Sequence, residues 1–167
     1  HIFNGEVYPD FMQLPTPDRP TFRLQAVEPG ATMSCGDLRV TAIPVNHQVP
    51  ALGFIIDDGQ SAIVCSGDTY STEALWKAAG RVRTIKAAFI EASFPNAMAD
   101  IAKISKHLTP SLFHREFEKI GRPEVRAYAY HLKPRYRDTV TRELGALPIP
   151  TLTVLEEAQE IKIGRAH

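Results

Sequence analysis

Hydrophobic and polar positions follow two different periods along this chain. Between Leu38 and Cys65, short runs of apolar and β-branched residues succeed one another with turn residues between them. Leu38 to Val45, Gly53 to Ile56 and Ser61 to Cys65 read as strands, and the alternating stretch 21–27 before them reads as another. Pro29-Gly30 and Asp57-Asp58-Gly59 are turn signals. Strands this closely spaced suggest an antiparallel sheet.

From Thr72 onward the period lengthens. Thr72 to Ala79 reads as a helix ending at Gly80, and Lys86 to Glu91 as a short apolar strand. Residues 96–106 read as irregular or weakly helical. Leu108-Thr109-Pro110 then opens a well-signalled helix, with Thr109 as N-cap, Pro110 at the first helical position and Leu108 placed to staple onto Phe113. Phe113, Phe117 and Ile120 form its buried stripe, and Gly121 ends it. Glu124 to Tyr130 is a strand. Arg135 to Leu144 is a helix with Tyr136, Val140 and Leu144 on one face, stopped by Gly145, and Thr151–Val154 is a last strand. Pro9, Pro15, Pro17 and Pro20 break up the first twenty residues, which read as a helical turn and a loop packed by Phe3, Tyr8 and Phe11. A strand meander followed by alternating helix and strand predicts a layered α/β protein, with helices over one side of a mixed sheet.

Composition adds limits to this picture. The chain's 167 residues suffice for one domain with a real core, and its 44% hydrophobic and 23% charged content is ordinary for a globular protein. The formal net charge is zero, which argues against nucleic acid or membrane as the main partner. Nowhere is there an apolar run long enough to span a bilayer, which takes about eighteen residues. Cys35 and Cys65 are too few for a disulfide scaffold and lack zinc-finger spacing, so Cys65 reads as a small buried hydrophobe on its strand.

The chemistry gathers at element ends. Asp68 follows the strand that ends at Cys65, His47 follows Val45, His131 follows Tyr130, and His107 lies just before a helix N-terminus. Taken singly, each has a plain reading: Asp68 as a helix-capping loop carboxylate, His47 as a hydrogen-bonded loop residue, His131 as a packed strand end. Together, imidazole and carboxylate at three strand ends suit zinc or a similar first-row metal. His114 lies beside a core stripe and reads as a surface residue, and the terminal His1 and His167 receive no role.

The ordered segments Pro44–Phe54, Ser66-Gly67-Asp68-Thr69, Glu91-Ala92-Ser93-Phe94, Ser105–Thr109 and Tyr130–Tyr136 resemble the metallo-β-lactamase superfamily. The nearest branches are tRNA 3′-processing endonucleases and class II 3′,5′-cyclic-nucleotide phosphodiesterases. The opening His1-Ile2-Phe3-Asn4, with Tyr8-Pro9-Asp10-Phe11, is similar to the phosphodiesterases. The resemblance implies part of an αββα sandwich and a pair of divalent metal ions, zinc first, with manganese or iron as alternatives. It implies His47 and His131 as terminal ligands and Asp68 as the bridge between the metals. His107, oriented by Glu91, would protonate the leaving oxygen, and Lys133 and Arg135 would contact phosphate. The implied activity is hydrolysis of cyclic AMP, a small-molecule substrate, to the 5′-nucleotide.

The superfamily signature His-x-His-x-Asp-His does not occur in these residues. The expectation is therefore a single domain over 1–167 that forms the C-terminal portion of a larger hydrolase, metal-poor and inactive unless another chain supplies the rest. Cytoplasm is the favoured compartment, and a homodimer is compatible with this reading. The competing expectations are a tRNA 3′-processing-type endonuclease, disfavoured by balanced charge and the lack of a Lys/Arg-rich arm, and a non-catalytic remnant. A zinc hydrolase of thioesters or lactams is a minor fourth.

Overall fold

The computed structural model describes residues 3–164, so His1, Ile2 and the last three residues, His167 among them, lie outside it. A two-residue hairpin near the N-terminus, β1 (Pro15–Thr16) with β2 (Arg19–Pro20), stands apart from the main sheet. The main sheet has seven strands whose spatial order repeats their chain order: β3 (Thr32–Cys35), β4 (Leu38–Val45), β5 (Ala51–Asp57), β6 (Ala62–Cys65), β7 (Ile85–Glu91), β8 (Arg126–Tyr130) and β9 (Leu152–Val154). Pairing is antiparallel from β3 to β6 and parallel from β6 to β9. Two antiparallel reversals restore direction, so β4, β6, β7 and β8 all run the same way. Their C-terminal ends share one edge of the sheet.

The switch from antiparallel to parallel follows from the connections. Between β5 and β6 the chain needs only a tight turn: Asp58 Oδ1 accepts the amides of Gln60 and Ser61, and Gly59 takes φ +88°. Each later pair of strands is joined through a helix instead. These helices are α1 (Ala74–Arg81), α2 (Ala99–Ser105), α3 (Pro110–Glu118) and α4 (Arg137–Gly145), with single 3-10 turns leading into α2 and α4. α1 packs on β4 and β5, α3 on β7, and α4 on β9. Leu75, Trp76, Phe113, Phe117, Val140 and Leu144 meet Ile55, Val64, Ala88, Ile90 and Ala127 in one core. Burial of each large side chain there is worth about 1.5–3 kcal/mol. Side chains alternate along a strand, so the row Phe54, Cys65, Phe89, Tyr128, paired across β5 to β8, lies on the opposite face. Phe89 and Tyr128 stack there with ring centres 4.9 Å apart.

The α/β class, the mixed sheet and the helical cover agree with the sequence reading. Thr109 caps α3 through a bond from the Leu112 amide, and Pro110 occupies its first position. Several local expectations fail for physical reasons. Residues 21–27 form no strand, because no strand pairs with them: the Thr21 and Phe22 amides instead donate to Leu14 O and Phe11 O, and Phe22 packs its ring on Phe3 and Phe11 at 5.2 and 5.3 Å. The edge position belongs to β3. Gly80 lies one residue inside the end of α1 rather than ending it, whereas Gly145 is the last residue of α4, as expected. A Cβ on Gly80 would stand 3.3 Å from Ile120 O, so this glycine lets the end of α3 approach closely. Residues 99–105 are a true helix, α2.

Candidate metal centre

Four strand ends deliver the candidate residues. β4 hands on to His47, β6 to Asp68, and β8 to His131, while Glu91 is the last residue of β7. Gly67 turns the chain at the end of β6 with φ +62°, and a Cβ there would lie 2.7 Å from Leu52 O. Only glycine fits both demands. His107 arrives from the loop between α2 and α3, after Lys106 at φ +59°, and His131 itself sits at φ +62°. Left-handed backbone at residues with a Cβ costs energy and persists where surroundings enforce it.

One ligand atom from each of His47, Asp68 and His107 falls within 4.8 Å of the others. His47 donates Nδ1–H to Lys106 O at 3.1 Å, and His107 Nδ1 lies 2.6 Å from Glu91 Oε1. Both rings thus have Nδ1 tied to an oxygen, which leaves Nε2 of each as the nitrogen free to face the site. His131 Nε2 lies 3.5 Å from Asp68 Oδ1. Asp68 therefore belongs both to the cluster with His47 and His107 and to the pair with His131. The His107 ring lies 5.1 Å from that of His47 and stacks on that of His131 at 5.5 Å.

Glu91 holds this assembly from beneath. It is fully buried, and Oε1 accepts the Thr69 amide at 3.0 Å as well as facing His107. Oε2 accepts Ser93 Oγ at 2.9 Å and the Leu108 amide at 3.2 Å. One carboxylate thereby ties the Asp68 loop to the His107 loop. Beside it, burial pushes the Tyr130 phenol up to about 12, with its hydroxyl 3.3 Å from Ser66 Oγ.

Sequence reasoning placed His47, Asp68, His107, His131 and Glu91 near one another, and the structure brings all five to one edge. It assigns His107, not His131, to the tightest cluster. Lys133 Nζ reaches 3.4 Å from His131 Nε2, whereas the Arg135 guanidinium lies over the Tyr136 ring at 5.8 Å. His114 is partly exposed and faces Glu118 at 3.6 Å, one turn along α3. Asn46, Ser93 and Glu116 escaped the reading. Glu116 is fully buried and accepts Ser71 Oγ, the Thr72 amide, Trp76 Nε1 and Lys119 Nζ. The one local clue was Trp76, whose buried indole N–H needs an acceptor.

A family profile described as "Beta-lactamase superfamily domain" matches residues 5–132. The chain belongs to the β-lactamase superfamily. A metallo-β-lactamase fold protein from Bacillus subtilis, YhfI, aligns with a TM-score of 0.65 at 16% identity, over 79% of this chain and 52% of its own. Human tRNase Z, short form (ELAC1), gives 0.61 at 19% identity, over 80% and 46%. A diphosphatase from the PhnP family gives 0.57 at 16%, over 80% and 46%. Likeness at this identity establishes the fold. This β-lactamase superfamily chain spans about half the length of these structures. A search of curated proteins returned no match.

Superfamily members are metal-dependent hydrolases that usually carry two divalent ions. The residues present fit such a group in kind: two imidazoles and one carboxylate within mutual reach, with a third imidazole against the same carboxylate. Among the described residues, no helix is long and apolar enough to cross a membrane.

Proposed function

We propose that this chain carries the C-terminal part of the active site of a metal-dependent phosphodiesterase that hydrolyses 3′,5′-cyclic nucleotides, cyclic AMP first, to 5′-nucleotides. The observation that carries this reading is the convergence of His47, Asp68 and His107, with His131 against the same aspartate.

In this reading His47, Asp68 and His131 would hold the divalent ions. When bound, a pair of divalent ions supplies Lewis acidity and an acidified water. The chain's own side chains supply binding and proton handling. Glu91 fixes His107 through Nδ1, so the ring presents Nε2 to the cleft and holds a proton there for the departing oxygen. Burial of Glu91 under four donors keeps that orientation rigid. Lys133, at the mouth beside His131, binds a phosphate oxygen, and Arg135 on the next turn adds a second positive charge.

A second reading stands level with the first. The fold likeness to human tRNase Z supports a tRNA 3′-processing-type endonuclease using the same residues. The two differ in how they grip substrate: a tRNA needs an extended basic surface, and this chain has zero net charge. Assay of the full-length protein with zinc or manganese separates them. The first reading expects cyclic AMP to be hydrolysed and a precursor tRNA carrying a 3′ trailer to be left intact. Cleavage of the tRNA alone replaces it with the second reading, and inactivity on both with metal bound overturns the two together.

A further inference from the structure

Asn46 joins the two loops that carry His47 and Asp68. Its backbone N–H donates to Thr69 Oγ1 at 3.2 Å, its carbonyl accepts the Tyr70 amide at 2.7 Å, and its side-chain Nδ2 donates to Ser71 O at 3.0 Å. The three residues after Asp68 are thus all held by the residue before His47. The far end of this loop is anchored in the protein interior. Ser71 Oγ and the Thr72 amide donate to the buried Glu116 carboxylate at 2.6 and 3.0 Å. Trp76 Nε1 and Lys119 Nζ complete its surroundings at 2.6 and 2.7 Å. Asp68 is itself half-exposed, and among the described residues its carboxylate has one ion-pair neighbour, His131. Its place is inherited from residues 69–72.

We infer that Asn46 is a positioning residue of the metal centre, with Glu116 as its fixed anchor. Together they set the separation of His47 and Asp68, and with it the affinity for a divalent cation. The inference rests on the metal-centre reading. Ligands must be held to within about 0.5 Å of productive geometry, which side chains achieve only when their supports are locked. Neither residue is a ligand: Glu116 has both oxygens engaged away from the cleft, and Asn46 acts through Ser71.

The test is a titration of the full-length protein with Co2+, read by visible absorption, below the melting temperature of every variant. H47A and D68A are expected to abolish binding. N46A and E116Q are each expected to weaken it about tenfold, as loss of an outer-shell partner does. The double variant is expected to be no weaker than the poorer single, because both act on one loop. Phe117→Leu loosens the core of α3 away from the loop, and should lower the melting temperature with Co2+ affinity unchanged. Affinity within twofold of the parent for both N46A and E116Q overturns the inference and leaves the metal centre standing. So does a loss in Phe117→Leu equal to that in N46A. A full-length parent protein that binds no Co2+ overturns the metal-centre reading and this inference with it.

Discussion

Glu91 Oε1 stands 2.6 Å from His107 Nδ1, and both side chains are withdrawn from solvent. The pair joins the end of β7 to the loop before α3. Three further donors converge on the same carboxylate. Glu91→Ala strands these buried groups, and an uncompensated buried network of this kind costs about 3–5 kcal/mol. Urea denaturation should show an unfolding free energy lower by that amount. Glu91→Gln keeps the shape and should cost less than half as much.

Metal dependence gives a second expectation. A ligand that binds only the folded chain stabilises it by about 2.7 kcal/mol at a hundredfold excess over its dissociation constant. Zinc should therefore raise the melting temperature, and a chelator should reverse the rise. Because Asp68 is common to both groups of donors, Asp68→Ala should strip bound zinc completely in elemental analysis. His131→Ala should leave only the fraction held by His47 with Asp68.

The two cysteines should differ in reactivity. Burial pushes the Cys65 thiol up to about 11, whereas Cys35 is exposed. The thiolate is the reacting form. At pH 8 a disulfide reagent should label Cys35 promptly and reach Cys65 only after denaturation, which a timed thiol assay with a Cys35→Ser variant checks.

Alkaline stability should carry the mark of Tyr130. Its phenol keeps the proton in the folded chain up to about 12, chiefly because it is buried, while an unfolded chain releases it near 10. Between those values the folded state binds more protons. The stability it contributes is full below pH ~10, falls as pH rises, and is lost as pH passes about 12. The slope approaches about 1.4 kcal/mol per pH unit. Tyr130→Phe should remove this component, seen as a smaller loss of urea midpoint between pH 9 and pH 11.

The sequence showed those parts of the fold whose signals are local. The Thr109-Pro110 cap, the apolar runs of β4, β6 and β7, and the Gly67 turn before Asp68 depend on neighbours within a few residues. β3 was not legible, because Thr-Met-Ser-Cys is too short and too weakly apolar for its alternation to stand out, and it exists as a strand only by pairing with Leu38–Thr41. The reverse error at 21–27 has the same cause: alternation without a partner strand makes no ladder. Gly80 resembled a stop signal, yet helix packing against Ile120 overrode it. In the site, the strand ends were visible because β4, β6, β7 and β8 share a direction. The gathering of His107 with His47 was not, since it depends on how the α2–α3 loop lies across the edge. Glu116 bonds to Ser71 across forty-five residues, and no local pattern announces such a partner.

That shared strand direction also separates two kinds of tolerance. Every candidate residue sits where the strands finish, so the turns at the opposite end, around Gly36-Asp37, Asp58-Gly59-Gln60 and Arg83-Thr84, are free of chemistry. Surface loops of this sort accept added length with little thermodynamic penalty. Evolution, or an engineer inserting a tag or a recognition module, can lengthen the chain there and leave the distances at the working edge untouched.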